Sequence, residues 1–323
     1  MKKLMNLGII LIGIITISCV SCSKNNNTVT NGVVTINPGN DPNFTIVANT
    51  DAGLTSFNRK VVVFGIDIYA ASGVEDVKLL HAANVMAQYL DNNEDGTIDN
   101  QLVLDKMLEN KAFLVMWANE SDLNGLNPPA GRLGQDLGNA ETNPTYVSSG
   151  LTGRFDASLE EVLHIINNAG HSYAYPAAFG QNENSELAKA MDIARGGKFL
   201  TIPATYPANA WYTYTDATCE YANCQTIEYL YWALTSMLGA QDGAGRLNEI
   251  QHEWKLNTRT LSFAQIGEII KKLKNDPNWI LKDKKGKPIY NPFADPQSPY
   301  YMGIYLCSTA LASLEPGLEF CNS

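Results

Sequence analysis

Residues 60–90, KVVVFGIDIYAASGVEDVKLLHAANVMAQYL, indicate the fold class, because this one stretch changes from strand periodicity to helix periodicity. Residues 60–69 begin with β-branched side chains and then alternate apolar and polar residues around Asp67. That pattern is typical of a strand that passes from a buried to a half-exposed position. Residues 74–90 carry apolar side chains at helical spacing. The sequence therefore predicts a strand followed by a helix at the start of the folded body.

Further elements are predicted on the C-terminal side of this stretch. A helix is expected over residues 99–109, a buried strand over 112–117, and a long loop over 119–144, which is rich in Gly, Asn and Pro. Later helices are expected over residues 159–168, 186–194, 226–238, 246–254 and 262–274. Because strands come early and helices dominate later, we expect an α+β fold, a small N-terminal sheet with helices followed by a mostly helical C-terminal part.

The first 22 residues have the features of an export signal. Lys2 and Lys3 precede an apolar run over residues 7–17, which is about half the length of a bilayer-spanning helix. Either Cys19 or Cys22 could carry a lipid, and Cys22 is favoured because a serine precedes it and a polar segment follows it. This N-terminal segment resembles the signal peptide and lipidation site of bacterial lipoproteins. The resemblance implies lipid on Cys22 and an exported protein anchored to the periplasmic or cell-surface face of a bacterial membrane.

The other cysteines agree with export to an oxidising compartment. Lipidation at Cys22 leaves an even number of them, whereas lipidation at Cys19 would leave an odd one. The four that remain are Cys219, Cys224, Cys307 and Cys321. Of the pairings open to them, we favour the two local ones, Cys219 with Cys224 and Cys307 with Cys321.

Composition indicates where the folded body lies in the chain and which kinds of partner it can bind. Residues 23–55 are predicted to be a flexible spacer and entry segment, and residues 56–323 the body, with a candidate subdomain boundary near residues 175–200. The chain carries 23 basic and 33 acidic residues, a net charge of −10, and removal of the signal takes away two lysines and no acid. We therefore expect no nucleic acid partner.

Residues 91–99, DNNEDGTID, place oxygen-bearing side chains at alternate positions and a glycine at the sixth. A Ca²⁺ ion needs about six to eight oxygens, and only a tightly turning chain aims them inward. The loop is similar to those of the EF-hand and dockerin families. That resemblance implies calcium ligands at Asp91, Asn93, Asp95, Asp99 and the carbonyl of Thr97. Leu102 replaces the bidentate glutamate of an EF-hand, so a further ligand must come from water or elsewhere; the alternative is an Asx-rich turn without an ion.

Residues 156–171, DASLEEVLHIINNAGH, carry the strongest candidate for chemistry. On a helix, Glu160 and His164 lie four residues apart on one face, and Glu161 borders the same site, which is the arrangement of two metal ligands and a neighbouring base. The alternative is structural. Ser158 and Glu161 would then form a capping box, Glu160 would favour the helix dipole, and His164 would be a hydrogen-bonded core residue.

The same segment resembles the active-site helix of the zincin metallopeptidases, whose His-Glu-x-x-His motif binds zinc through two histidines and activates water with the glutamate. Glu160 stands at the first histidine position, Glu161 at the catalytic glutamate and His164 at the second histidine. In the gluzincin branch a later helix supplies a glutamate as third ligand, and Glu228 matches that placement. The resemblance implies a zincin-like body, a zinc-type ion on Glu160, His164 and Glu228, Glu161 as general base, and a protein or peptide substrate.

The remaining histidines are weaker candidates for metal ligands. His171 is an alternative ligand that follows Gly170 just past the predicted helix end, whereas His81 and His252 have no second ligand at a useful offset and are expected to be structural. Two hypotheses for function follow. The first is an exported lipoprotein with a divergent metallopeptidase-like site and a structural calcium loop. The second is a calcium-stabilised binding or structural surface lipoprotein without catalytic activity.

Overall fold

The computed structural model describes residues 44–91, 98–238, 241 and 243–255, together with two short strands further along the chain. The described residues form an α+β fold in which a mixed five-stranded sheet packs against helices, as the order of elements predicted. The strands of the sheet are β1 (Val47–Ala48), β2 (Arg59–Val63), β3 (Ile66–Ala70), β4 (Phe113–Trp117) and β5 (Gly134–Gly138). A separate antiparallel pair comprises β6 (Leu281–Lys282) and β7 (Pro288–Ile289).

Eight helices lie among the remaining described residues. They are α1 (Asp76–Leu90), α2 (Gln101–Glu109), α3 (Ser158–Ile166), α4 (Ser172–Ala174), α5 (Pro176–Phe179), α6 (Glu186–Arg195), α7 (Thr226–Leu238) and α8 (Arg246–Ile250). Two π-helical turns, Asn167–His171 and Tyr221–Gln225, and a 3₁₀ turn, Glu120–Gly125, complete the set. None of the helices in the described ranges is long and apolar enough to cross a bilayer.

The sheet contains a hairpin where the sequence predicted one strand. β2 and β3 pair antiparallel across a two-residue turn at Phe64 and Gly65, whose φ angles are +47° and +88°. Two positive φ angles in succession are the geometry of a type I′ turn, which matches the twist of antiparallel strands. The single-strand prediction over residues 60–69 was therefore wrong, because a glycine in mid-run marked a reversal of the chain.

The second half of the sheet is parallel and contains a strand that the sequence did not reveal. β3, β4 and β5 run parallel, and β5 lies within the stretch predicted as a long loop. Its residues have weak strand propensity, and pairing with β4 holds them in place. Gly134 fits here because a Cβ atom would overlap the ring of Phe113 on β4.

The longer helices follow the apolar periodicity closely. α7 has the predicted limits, and α1 ends at the predicted residue. The predicted ends of α2 and α6 agree with their observed ends to within two residues. Asn100 and Ser185 cap α2 and α6 by accepting hydrogen bonds from the backbone N–H groups of Val103 and Ala188. Gly196 ends α6 in the left-handed conformation.

The helix predicted over residues 159–168 was expected to end just before Gly170, and this prediction was wrong. The chain passes from Ile166 directly into the first π-turn and α4, and Gly170 does not adopt a positive φ. A Cβ atom at Gly170 would lie 2.7 Å from Val103 Cγ1 on α2. Glycine is therefore required here for close approach of α2 rather than for termination.

The capping box at the start of α3 is also absent. The hydroxyl of Ser158 donates to Asp156 Oδ2 over 2.8 Å, and Asp156 Oδ1 accepts from the backbone N–H of Ser158. Glu161 accepts instead from the side chain of Gln135. Asp156 therefore accepts the backbone hydrogen bond that Ser158 would donate to Glu161 in a capping box. The side chain of Glu161 contributes instead to the candidate site described next.

Candidate metal centre

The candidate centre lies where α3 meets α7. α3 carries Glu160, Glu161 and His164 and packs on β4, β5 and α1, whereas α7 carries Glu228 in its first turn. The helix that supplies three of these residues is thus fixed on the sheet, and the second helix brings the fourth. The structure brings together all four residues that the sequence singled out.

His164 lies between two carboxylates. Its Nδ1 atom is 3.2 Å from Glu161 Oε2, and its Nε2 atom is 3.5 Å from Glu228 Oε2. Glu160, Glu161 and His164 each offer one ligand atom, and these atoms lie within 4.8 Å of one another. Ligand atoms at such separations fit around a single metal ion.

The Nε2 atom of His164 is buried and has no hydrogen-bond partner among the described residues. Glu228 Oε2 contacts it at 3.5 Å, which is beyond a good hydrogen bond. A buried polar atom without a partner costs about 1–3 kcal/mol, and a bound ion or water molecule is one way to satisfy it. Nε2 therefore marks the point toward which a ligand is expected.

The carboxyl groups of the centre resist ionisation when no cation is present. Burial, reinforced by the charge of Glu161, raises the pKa of Glu160 to about 8. Burial also raises the pKa of Glu228 to about 8; His164 opposes this rise, while Glu160 adds to it. The pKa of Glu161 is raised well above its ordinary value, by burial first and then by Glu141 and Asp136. A cation would relieve the repulsion among all three glutamates.

Glu161 is held from the sheet side by a residue that sequence reasoning missed. Gln135, on β5, donates a hydrogen bond from Nε2 to Glu161 Oε2, the same oxygen that faces His164. Gln135 lay within the predicted long loop, so no local pattern pointed to it.

Glu160 is held from the other side by a network that was also missed. The Tyr231 hydroxyl donates to Glu160 and accepts from Gln241 Nε2 over 3.1 Å, and Arg246 Nε donates to Gln241 Oε1 over 2.8 Å. The Arg246 guanidinium stacks 3.8 Å above the ring of Phe155. Tyr231 follows Glu228 by three residues on α7, so helical spacing would have placed it on the same face.

The other histidines lie outside this group. His171 is in the π-turn after α3, where its Nδ1 atom is 2.8 Å from Asn167 Oδ1. His81 is buried, with Nε2 2.6 Å from Asp156 Oδ2, and so links α1 to the start of α3. His252 is 58% exposed, beside Glu253. The contacts of His81 agree with the structural role expected for it.

The calcium loop is described only at its ends. Asp99 donates its backbone N–H to Leu90 O over 3.0 Å, which closes the segment that starts at Asp91. The remaining predicted ligands, Asn93, Asp95 and Thr97, lie outside the described residues. Calcium binding stays a prediction.

One of the two expected disulfides is present. Cys219 and Cys224 are bonded, immediately before α7. Cys22, Cys307 and Cys321 lie outside the described residues, so lipidation and the second disulfide stay predictions.

Comparison with known proteins found no matching family model, no matching curated protein and no matching solved structure. The candidate centre therefore stands on its own geometry.

Proposed function

We propose that this protein is an exported, membrane-anchored lipoprotein that binds a divalent metal ion at Glu160, His164 and Glu228 and hydrolyses protein or peptide substrates as a divergent, zincin-like metallopeptidase. The observation that carries the proposal is the buried, unpartnered Nε2 atom of His164 among three glutamates with raised pKa values. Neutral imidazole and carboxylate are the donors that such an ion takes.

The donor set fits a divalent ion. One neutral nitrogen and two carboxylates match the number of protein ligands in a catalytic zinc site, which keeps a further position for water or substrate. With a glutamate in place of one histidine, the set is harder than His-His-Glu and leaves the ion less Lewis-acidic. We therefore expect slower hydrolysis than from a two-histidine site.

Side chains around the ligands supply the remaining functions. When bound, the metal ion lowers the pKa of a water molecule and polarises the substrate carbonyl. Glu161 borders the same space, and burial raises the pKa of its carboxyl, which is the direction that suits a general base taking a proton from water and passing it to the leaving amine. The Tyr231 hydroxyl holds Glu160 in place.

Two features support the wider proposal. A helix packed on a mixed sheet, with a later helix supplying a glutamate, is the layout that the zincin resemblance implies. The Cys219–Cys224 disulfide agrees with an oxidising compartment outside the cytoplasm.

Metal analysis of the purified chain without its signal tests the proposal. We expect one equivalent of a zinc-type ion in the native protein, lost in His164→Ala and Glu228→Ala and retained in Glu109→Ala, which removes an exposed carboxylate on α2. Cleavage of an unfolded protein substrate should stop when the ion is chelated and resume when it is restored. A protein that holds calcium alone would contradict the proposal and favour a binding or structural lipoprotein.

A further inference from the structure

We infer that Glu161 is a positioning residue for His164: it accepts a hydrogen bond from Nδ1–H, with Gln135 holding it, and so fixes the tautomer whose Nε2 lone pair faces the metal ion. This inference rests on the metal site proposed above. It gives Glu161 a function besides the general-base role that the motif assigns to its position.

The placement of the two ring nitrogens carries the argument. A neutral imidazole has one N–H donor and one lone pair. Glu161 Oε2 lies 3.2 Å from Nδ1, whereas Nε2 has no hydrogen-bond partner among the described residues. When Glu161 is ionised, as it would be beside a bound cation, a proton on Nδ1 is therefore donated to a carboxylate, and the lone pair on Nε2 points into the centre beside Glu228. The other tautomer would set the Nδ1 lone pair against a carboxylate oxygen.

Gln135 identifies Glu161 Oε2 as an acceptor. The amide of Gln135 donates to this oxygen from β5, and the same oxygen faces Nδ1 of the ring on α3, so a proton on Nδ1 would give Oε2 a second donor. Both contacts use the same oxygen, so Oε1 of Glu161 takes part in neither of them.

The ring itself has little freedom to turn. His164 is 4% exposed, and its ring meets that of Tyr231 edge to face, with centroids 5.5 Å apart. Glu161 is three residues earlier on the same helix, within reach of Nδ1. Packing fixes the plane of the ring. The hydrogen bond to Glu161 then determines which ring nitrogen carries the proton and which keeps its lone pair.

The arrangement has the form of a carboxylate–histidine–metal chain. A partner on the far nitrogen raises the basicity of the ligating nitrogen, and its loss typically weakens metal binding by about 10–100-fold. Replacing a glutamate that acted as general base alone would remove only a charge near the ion, so Glu161→Gln and Glu161→Ala would weaken metal binding equally. Comparison of metal affinity in the two variants thus separates the two roles without any measurement of activity.

Calorimetric titration of the metal-free protein with Zn²⁺ provides the first test. We expect Glu161→Ala to weaken binding by about 10–100-fold, Glu161→Gln by less because its amide oxygen still accepts from Nδ1–H, and His164→Ala to abolish it. Glu109→Gln, which neutralises an exposed carboxylate, is the matched control. Native affinity in Glu161→Ala overturns the inference, as does a loss in Glu161→Gln equal to that in His164→Ala, because Glu161 would then be a ligand.

The tautomer can be observed directly in the metal-free protein. In ¹⁵N-histidine-labelled protein, at a pH high enough for the ring to be neutral and for Glu161 to be ionised despite its raised pKa, we expect His164 as the Nδ1–H form and a shift toward Nε2–H in Glu161→Ala. Glu161→Gln should keep the native form, which covers the case in which the alanine variant does not fold. An Nε2–H ring in the native protein overturns the inference whether or not metal binds. Absence of metal binding by a protein with the Nδ1–H form refutes the proposed function instead.

Discussion

With no metal ion in the candidate centre, this protein should become less stable as the pH rises. The pKa values of Glu160 and Glu228 are both raised to about 8, against 4.5 for an ordinary glutamate. A carboxyl whose pKa is raised by folding holds its proton more tightly in the folded state, so its stabilising contribution is complete below pH 4.5. That contribution is lost as the pH rises through 8.

The size of the loss follows from the shift. One pKa unit corresponds to about 1.4 kcal/mol, so a single proton shared by the pair would account for about 5 kcal/mol between the two values. Glu228 keeps 17% of its side-chain exposure, and solvent screening reduces this figure. We expect a loss of about 3 kcal/mol between pH 5 and 9. For a domain of this size, that loss lowers the melting temperature by roughly 6–12 °C.

Thermal unfolding across this pH range measures the effect. A chelator selective for zinc-type ions, used with excess Ca²⁺, strips the candidate centre while any calcium loop stays filled. Glu228→Gln should flatten the pH dependence and melt higher than the native protein at pH 9, while Glu183→Gln, an exposed carboxylate paired with Lys198, should follow the native curve. A native melting temperature that is constant or rises from pH 5 to 9 would refute the reasoning.

Further predictions concern the surroundings of the centre. Glu160→His, which completes the two-histidine motif, should raise Zn²⁺ affinity relative to Mn²⁺ by at least about tenfold in competition titrations; an unchanged ratio would exclude residue 160 as a ligand. Gly170→Ala should lower the free energy of unfolding, measured in urea, by about 1–3 kcal/mol, because its Cβ would clash with α2. An unchanged free energy of unfolding would show that α2 can move away at no cost. Burial lowers the pKa of His171 to about 4, so its neutral form stabilises the fold above about pH 6.5 and this contribution is lost toward pH 4. His171→Gln should therefore lose less stability than the native protein between pH 7 and 4; an equal loss would contradict the assignment. Replacing Cys219 and Cys224 by serine should cost about 2 kcal/mol in the same assay, whereas a reduced native protein of unchanged stability would contradict this estimate.

The parts of the centre that sequence could predict are those set by local geometry. Glu160 and His164 share a helix face because they are four residues apart, and that relation needs no knowledge of the rest of the chain. α7 was predicted with its observed limits because its apolar periodicity is strong. The convergence of Glu228 on His164 came from a family resemblance, since no local pattern relates residues so far apart.

The parts that could not be predicted depend on pairing between distant segments. β5 forms because β4 offers it a partner, and its own residues, Gly134 to Gly138, give little strand signal. The role of Gln135 could not be predicted for the same reason, because this residue lies on β5. The capping box failed because Asp156, two residues before Ser158, competes for the same hydrogen bonds. In each case a contact made elsewhere outweighed a correct local preference.

The two π-turns have a consequence for recognising related sequences. A π-helical turn accommodates one residue more than an α-helical turn, and such turns are often found near functional sites. Both lie between His164 and Glu228, one directly after α3 and one directly before α7. A homologue that lacks either extra residue would have its third glutamate shifted by one position in an alignment. A search pattern for this centre must therefore treat the distance from His164 to Glu228 as variable by one residue at each π-turn.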